Sequence, residues 1–319
     1  MPIKPHQPTR AVFIGTSDFA VPALHRLVTN GPELVAVITQ PDRPAGRGRV
    51  QSVSPVKRAA VEMGLPVWQP ERIKADESIQ CIREVAPDLI IVTAYGQILP
   101  QSILDIPPHG CLNLHGSLLP RLRGASPVAF AILEGHSETG VTVMLMDAGM
   151  DTGPILAQRS TSIGDYDTST TLGLRLAKMS ANLLAETIPL WISGDIQPIG
   201  QDNSLATYSR IISKTDGQID WSSDAEAICR KVRAFDPWPG TYTYWGGQRL
   251  KVLSAVPVME SAKATPGLVE IIDNPHTPVV IHTARGALAP LRLQMEGRKP
   301  MPVVEFLQGQ PHFGSALLG

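Results

Sequence analysis

Residues 11–39, AVFIGTSDFAVPALHRLVTNGPELVAVIT, decide the fold of the first half of the chain. An apolar run at 11–16 is followed by a helical stretch at 18–29 and a second apolar run at 33–39. Neither run alternates with polar residues, so each reads as a strand covered on both faces. Two such strands joined by a helix make a parallel βαβ unit. The rhythm continues outward through a helix at 55–63, PVW at 66–68, a helix at 75–86 and LIIVTAY at 89–95. Further strands are readable as CLNLH at 111–115, VTVMLM at 141–146 and ILAQRSTSI at 155–163. A last helix, from about Ser169 to Leu190, carries Leu172, Leu176, Met179 and Leu183 at helical spacing. The expectation is an α/β fold with a Rossmann-like, mostly parallel sheet, which places ligands beyond the carboxyl ends of its strands.

The pattern changes after that helix. Residues 191–208, WISGDIQPIGQDNSLATY, are rich in Gly, Pro, Asn and Asp and read as a linker, with a boundary near 207. Beyond it, a helix at 224–234 precedes five short strand-like runs, and the Gly246-Gly247 pair between two of them is a hairpin signal. Such a run of strands suits a small β-barrel, of which the oligonucleotide-binding (OB) type is one, or a small sandwich. The expected organisation is therefore a domain over 1–190, a linker over 191–207 and a second, OB-like domain over 208–319, as suits a chain of 319 residues.

Composition narrows the function classes. No apolar run is long enough to cross a bilayer and no charged-then-apolar leader occupies residues 1–10, so a cytoplasmic protein with no membrane partner is expected. Cys81, Cys111 and Cys229 are scattered and form no CxxC pair, which argues against a disulfide framework or a structural zinc site. Net charge is −1, but residues 1–207 hold 16 Lys/Arg against 19 Asp/Glu and the remainder 12 against 10. Within 41–58, Arg43, Arg47, Arg49, Lys57 and Arg58 face only Asp42. That stretch suits a docking polyanion, and equally a solvated loop.

The stretch 110–127, GCLNLHGSLLPRLRGASP, carries the chemistry. Strand alternation puts Cys111, Asn113 and His115 on one face and Leu112 and Leu114 on the other. An amide and an imidazole at a strand end can both donate hydrogen bonds to an oxyanion forming on a carbonyl carbon. The plainer alternative is a satisfied Asn and His at the end of a strand. The loop 146–156, MDAGMDTGPIL, offers Asp147 and Asp151; either can sit beside His115, either can cap its own turn, and spacing leaves the choice open. Gly15 reads as a close strand-to-helix packing position, because neither GxGxxG nor GxxxxGK[ST] follows it. With no nucleophile elbow, no HExxH and no clustered Cys/His, covalent and metal mechanisms lose ground to direct transfer between two bound substrates.

These residues resemble the folate-dependent formyltransferases, whose strand-end Asn-x-His, SLLP loop and later Asp form an active site. The resemblance implies that Asn113 and His115 stabilise a tetrahedral intermediate and that Asp151 holds or deprotonates His115. It implies that Ser117, Leu118, Leu119 and Pro120 contact 10-formyltetrahydrofolate, the co-substrate, and that VTAYGQILP at 92–100 borders the pterin. No metal is implied. The loop PDRPAGRGR at 41–49 and the stretch RAFDPWPGTYTYWGGQRLKV at 233–252 are similar to members that act on initiator methionyl-tRNA. By that similarity Arg43 reaches the aminoacylated end, with Arg47 and Arg49 beside it, and the C-terminal domain binds tRNA; a monomer is expected. One alternative is a formyltransferase for a nucleotide-sugar amine, which leaves the Arg43 loop and the small barrel without a role. Another is a non-catalytic RNA-binding protein with Tyr242, Tyr244 and Trp245 as stacking residues, although such aromatics more often pack.

Overall fold

The computed structural model describes residues 9–45, 50–258 and 264–319. They fold into two compact units. One comprises residues up to 127 together with 138–161 and 173–209; the other comprises 128–137, 162–172 and 210–319.

The first unit begins with β1 (Arg10–Gly15), α1 (Val21–Asn30) and β2 (Glu33–Ile38). A ribbon of β3 (Arg43–Ala45) and β4 (Val50–Ser52) follows, then α2 (Pro55–Glu62), β5 (Val67–Trp68), α3 (Asp76–Glu84) and β6 (Leu89–Thr93). After a short α4 (Gln101–Leu104) come β7 (Cys111–His115), β8 (Arg123–Gly124), β9 (Glu138–Leu145), β10 (Ile155–Ser162), most of the long α6 (Ser169–Ser193) and β11 (Tyr208–Ser209), while α5 (Pro127–Leu133), between β8 and β9 in sequence, falls almost wholly in the second unit. Local chemistry accounts for the helices. In α1, Ala23, Leu24 and Leu27 are buried on one stripe. In α2, Pro55 stands in the first turn and the Ser54 hydroxyl accepts from the Lys57 backbone N–H at 3.0 Å, capping the helix.

Seven strands form one sheet in the order β10-β9-β7-β6-β1-β2-β5. The pairs β1/β2, β1/β6, β2/β5 and β6/β7 are parallel, and β7/β9 is antiparallel, with His115 opposite Thr142. Every residue of β6 is buried, as is every residue of β1 after Arg10, which is why these runs show no polar alternation. Each fully buried Ile, Leu or Val there contributes roughly 1.5–3 kcal/mol. The chain runs outward from β1 on one side and from β6 on the other, so the crevice of such a sheet lies at their carboxyl ends. Gly15 closes β1; a Cβ there would lie 2.9 Å from the Ala20 Cβ and 3.0 Å from the Thr93 carbonyl oxygen, so packing explains the glycine. Two minor features bear on the site: β8 and β11 pair in parallel, and Ile155 bridges to Ile199. The segment between α6 and β11 is thereby bonded into this unit.

The second unit carries α7 (Ala225–Ala234) and the strands β12 (Thr241–Trp245), β13 (Gln248–Val258), β14 (Val269–Ile271), β15 (Val279–His282), β16 (Ala287–Met295) and β17 (Met301–Pro302), followed by α8 (Val303–Gly309). Its sheet is antiparallel in the order β12-β13-β16-β15-β14, with β17 against β16. Register shifts near Ser254 mark irregularities in β13, and among the described residues the strand path ends at β12 and β14. Ile228, Cys229 and Val232 form the buried stripe of α7 and join a core that includes Phe306 and Phe313, whose rings meet edge to face at 5.0 Å. Ile228→Ala is expected to cost about 2–5 kcal/mol in thermal unfolding, whereas Glu226→Ala on the exposed side of α7 is expected to change stability by about 0.5 kcal/mol or less. Equal effects would contradict this assignment of faces.

Candidate active site

The end of β7 presents Asn113 and His115 on one face, as strand alternation requires. His115 is 5% exposed. Its Nε2 lies 2.9 Å from the Leu122 carbonyl oxygen. A carbonyl only accepts, so Nε2 carries hydrogen and the Nδ1 edge is the one turned to the site. That edge lies 3.6 Å from Asp151 Oδ2. Asn113 Nδ2 donates to Asp151 Oδ1 at 3.2 Å, and the Gly124 backbone N–H donates to Asp151 Oδ2 at 2.8 Å. The structure thus brings Asn113, His115 and Asp151 together.

Asp147 is engaged elsewhere. Its Oδ1 accepts from the Gly149 N–H at 3.1 Å and from the Thr152 hydroxyl at 2.7 Å, closing its own turn. The two aspartates that spacing leaves equivalent are separated by their bonds. Because β9 runs antiparallel to β7, the loop after β9 leaves at the start of β7 and doubles back across the face that carries Asn113 and His115. Gly153 permits this reversal, since a Cβ there would strike the Leu145 carbonyl oxygen. Asp151 has φ 55° and Leu122 has φ 57°, left-handed backbone outside glycine. Such conformations cost roughly 1–3 kcal/mol each and persist only where the surroundings hold them.

The loop after β7 is fastened by its neighbours. Ser117 Oγ donates to the Arg121 carbonyl at 2.6 Å. The Thr142 hydroxyl donates to the Ser117 carbonyl at 2.7 Å and accepts from the Leu119 N–H at 3.2 Å, and Gln158 Nε2 donates to the Leu119 carbonyl at 2.8 Å. Ser117 and Leu119 are buried, while Leu118 and Pro120 are half-buried. At the neighbouring strand end, the Tyr95 carbonyl accepts from Thr16 Oγ1 at 3.0 Å and from Gln40 Nε2 at 3.2 Å. Among the described residues the Tyr95 hydroxyl is buried without a hydrogen-bond partner, and burial pushes it up to about 12. Ile98, by contrast, is 87% exposed.

Arg43 has no bond to the trio. Its Nη2 pairs with Glu71 Oε2 at 3.2 Å, and both side chains are mostly exposed. The backbone before it is anchored more firmly: Asp42 accepts from Lys57 Nζ at 2.5 Å and from Gln69 Nε2 at 2.8 Å. The bond from Lys57, and then that from Gln69, holds the Asp42 carboxyl below its ordinary value. Arg47 and Arg49 lie outside the described residues.

Several participants carried no readable signal. Leu122 and Gly124 act through backbone groups, which any residue supplies. Gln201 donates to the Asp151 and Gly153 carbonyls from a segment that reads as linker. Thr142 and Gln158 are ordinary strand residues until the loop packs on them. Among the described residues, no group of three or more His, Cys, Asp and Glu is placed to hold a metal ion, and no helix is long and apolar enough to cross a membrane.

Comparison with known proteins shows the family. Residues 9–188 match the formyl transferase family and residues 211–311 match the formyl transferase C-terminal domain. These two matches define the class, a formyl transferase. The chain is 44% identical over 300 residues to the methionyl-tRNA formyltransferase of Geobacter sulfurreducens, covering 94% of this chain and 93% of that protein. A second relative, the methionyl-tRNA formyltransferase of Citrifermentans bemidjiense, is 45% identical over 310 residues, covering 97% of this chain and 96% of that one. The chain belongs to the methionyl-tRNA formyltransferase family. Among solved structures, HypX from Aquifex aeolicus in complex with tetrahydrofolic acid superposes with a TM-score of 0.64 at 18% identity, covering 94% of this chain; this chain spans 47% of that one. At that identity the likeness shows the fold alone.

The thiols allow a check on the geometry at β7. Cys81 is exposed, whereas Cys111 and Cys229 are buried, and burial pushes both of those thiols up to about 12. A thiol reagent is expected to titrate Cys81 rapidly in the native chain and all three cysteines after denaturation. Rapid labelling of Cys111 in the folded protein would contradict the packing under Asn113 and His115.

Proposed function

We propose that Asn113, His115 and Asp151 form the centre at which the formyl group of 10-formyltetrahydrofolate passes to the amino group of methionine on initiator methionyl-tRNA. The convergence of an amide, an imidazole edge and a carboxylate at 3.2 and 3.6 Å supports this reading. In the transfer, the amine nitrogen bonds to the formyl carbon and the bond from that carbon to the folate nitrogen breaks. The amine loses a proton and the departing nitrogen gains one. Asn113 Nδ2 has two hydrogens, one committed to Asp151, which leaves the other for the formyl oxygen as charge develops on it. His115 Nε2 is committed to Leu122, so its Nδ1 edge and Asp151 form the proton path.

The folate co-substrate suits the strand ends. Residues 117–120 follow β7 and residues 92–100 run on from the end of the adjacent β6, and Ile98 offers an apolar side chain to a flat heterocycle. Arg43, which among the described residues pairs only with an exposed Glu71, is available to the acceptor end of the tRNA, with Arg47 and Arg49 as further phosphate contacts. Residues 1–190 take the catalytic role and 208–319 the tRNA-binding role, a division that the matches at 9–188 and 211–311 support. The three reacting side chains come from one chain, so a monomer suffices. Three cysteines outside any disulfide suit the reducing cytoplasm, where charged tRNA is found.

Asn113→Ala, His115→Ala and Asp151→Ala are each expected to lower kcat by about 10²–10³-fold with folding retained, while Asp147→Ala stays within a few-fold of the parent. Near-normal turnover in all three would sink the mechanism. Arg43→Ala is expected to raise KM for charged initiator tRNA with little change in folate KM; equal weakening of both substrates argues against an acceptor-end role. The deciding assay supplies 10-formyltetrahydrofolate with methionyl-tRNA or with a panel of nucleotide-sugar amines and asks which is formylated.

A further inference from the structure

Arg123 is 1% exposed and heads the fully buried side chains by size. Among the described residues no carboxylate lies within ion-pair distance of it. Its bonds go to amide oxygens instead: Nε and Nη2 donate to Gln201 Oε1 at 3.1 and 2.7 Å, and Nη2 donates to Asn203 Oδ1 at 2.8 Å. A buried guanidinium is costly without a charged partner, so its retention calls for another reason.

The other end of Gln201 supplies one. Its Nε2 donates to the Asp151 carbonyl at 2.9 Å and to the Gly153 carbonyl at 2.7 Å. The orientation of this amide is forced, because a guanidinium only donates and a carbonyl only accepts. Oxygen must face Arg123 and nitrogen must face the loop. A Glu at this position would satisfy Arg123 and turn acceptors against two carbonyls; a Lys would do the reverse. Only an amide serves both sides. The backbone on either side of Arg123 points the same way, with the Leu122 carbonyl accepting from His115 and the Gly124 N–H donating to Asp151. Asp151 itself sits in left-handed backbone that its surroundings must hold.

We infer that Gln201, anchored on the buried Arg123, is a positioning residue for formyl transfer: it clamps the Asp151 carbonyl so that the carboxylate meets Asn113 and the Nδ1 edge of His115. This inference rests on the reading that Asp151 works at the reaction centre. It assigns a function to a residue between the two family matches.

The test uses the full chain, with the parent and Asp151→Asn assayed alongside Gln201→Glu and Gln201→Leu. Formylation of methionyl-tRNA by the parent and its loss in Asp151→Asn establish the underlying reading independently of Gln201; failure there overturns that reading rather than the clamp alone. With both in place, Gln201→Glu keeps a partner for Arg123, so the thermal midpoint is expected to hold or rise. Its kcat is expected to fall about tenfold or more, KM for both substrates to stay within twofold, and the pH profile of kcat to shift. Gln201→Leu is expected to lose activity similarly and serves as the second variant. Turnover within twofold of the parent with an unchanged pH profile in folded Gln201→Glu overturns the proposal. So does a loss of activity that merely tracks a lowered midpoint in both variants, which makes Gln201 a structural brace.

Discussion

The Asp151 carboxylate can only accept hydrogen bonds, so the groups bonded to it have to turn a donor inward. The Asn113 amide is oriented with Nδ2 toward it, the Gly124 N–H points at it, and the Nδ1 edge of His115 faces it. Those three groups come from β7, which the large sheet fixes, and from β8, which its pairing with β11 holds. The remaining freedom lies in the loop that carries the aspartate. That loop leaves an antiparallel strand at the wrong end and must reverse, and left-handed backbone at Asp151 accompanies the reversal. A second left-handed residue, Leu122, sets the carbonyl that fixes the His115 ring. Both strained positions lie at the Asn113, His115 and Asp151 cluster, where strain is tolerated because neighbouring bonds over-determine the geometry.

The sheet beneath supplies rigidity by being dry. Cys111 shares a face with Asn113 and His115 yet belongs to the apolar core, with its thiol pushed far from the reactive range by burial. One strand thus changes from packing to chemistry within a few residues. The loop that follows is clamped to β9 and β10 by Thr142 and Gln158, so the groove edge is set by ordinary strand residues rather than by the motif itself.

Much of this was legible in the sequence. The alternation of apolar runs and helices gives the parallel sheet, because buried parallel strands need continuous apolar residues and their crossovers need helices. Strand alternation alone pairs Asn113 with His115. The limits are equally physical. Asp151 is distinguished from Asp147 only by which donors each meets, and the donors to the Asp151 carboxylate stand 27 to 38 residues away in sequence. The β8/β11 pair and the Gln201 amide involve partners some 50 to 85 residues apart, with no periodicity to betray them. Backbone donors such as Gly124 leave no mark in residue type. Spacing and propensity report local structure; they do not report where a returning segment lands.

The pairing of β8 with β11 bears on how separable the catalytic half is. Gly124, at φ 106°, lies so close to Ser209 that a Cβ would strike the Ser209 carbonyl oxygen, and the Leu122 N–H is bonded to the Thr207 hydroxyl at 2.9 Å. A fragment ending at Leu190 would retain Asn113, His115 and Asp151 and still lack the tether that shapes residues 122–124, which arrives only at 207–209. Modularity in this chain therefore follows hydrogen bonding rather than sequence texture. Excision or domain exchange would have to carry the apparent connector along with the sheet.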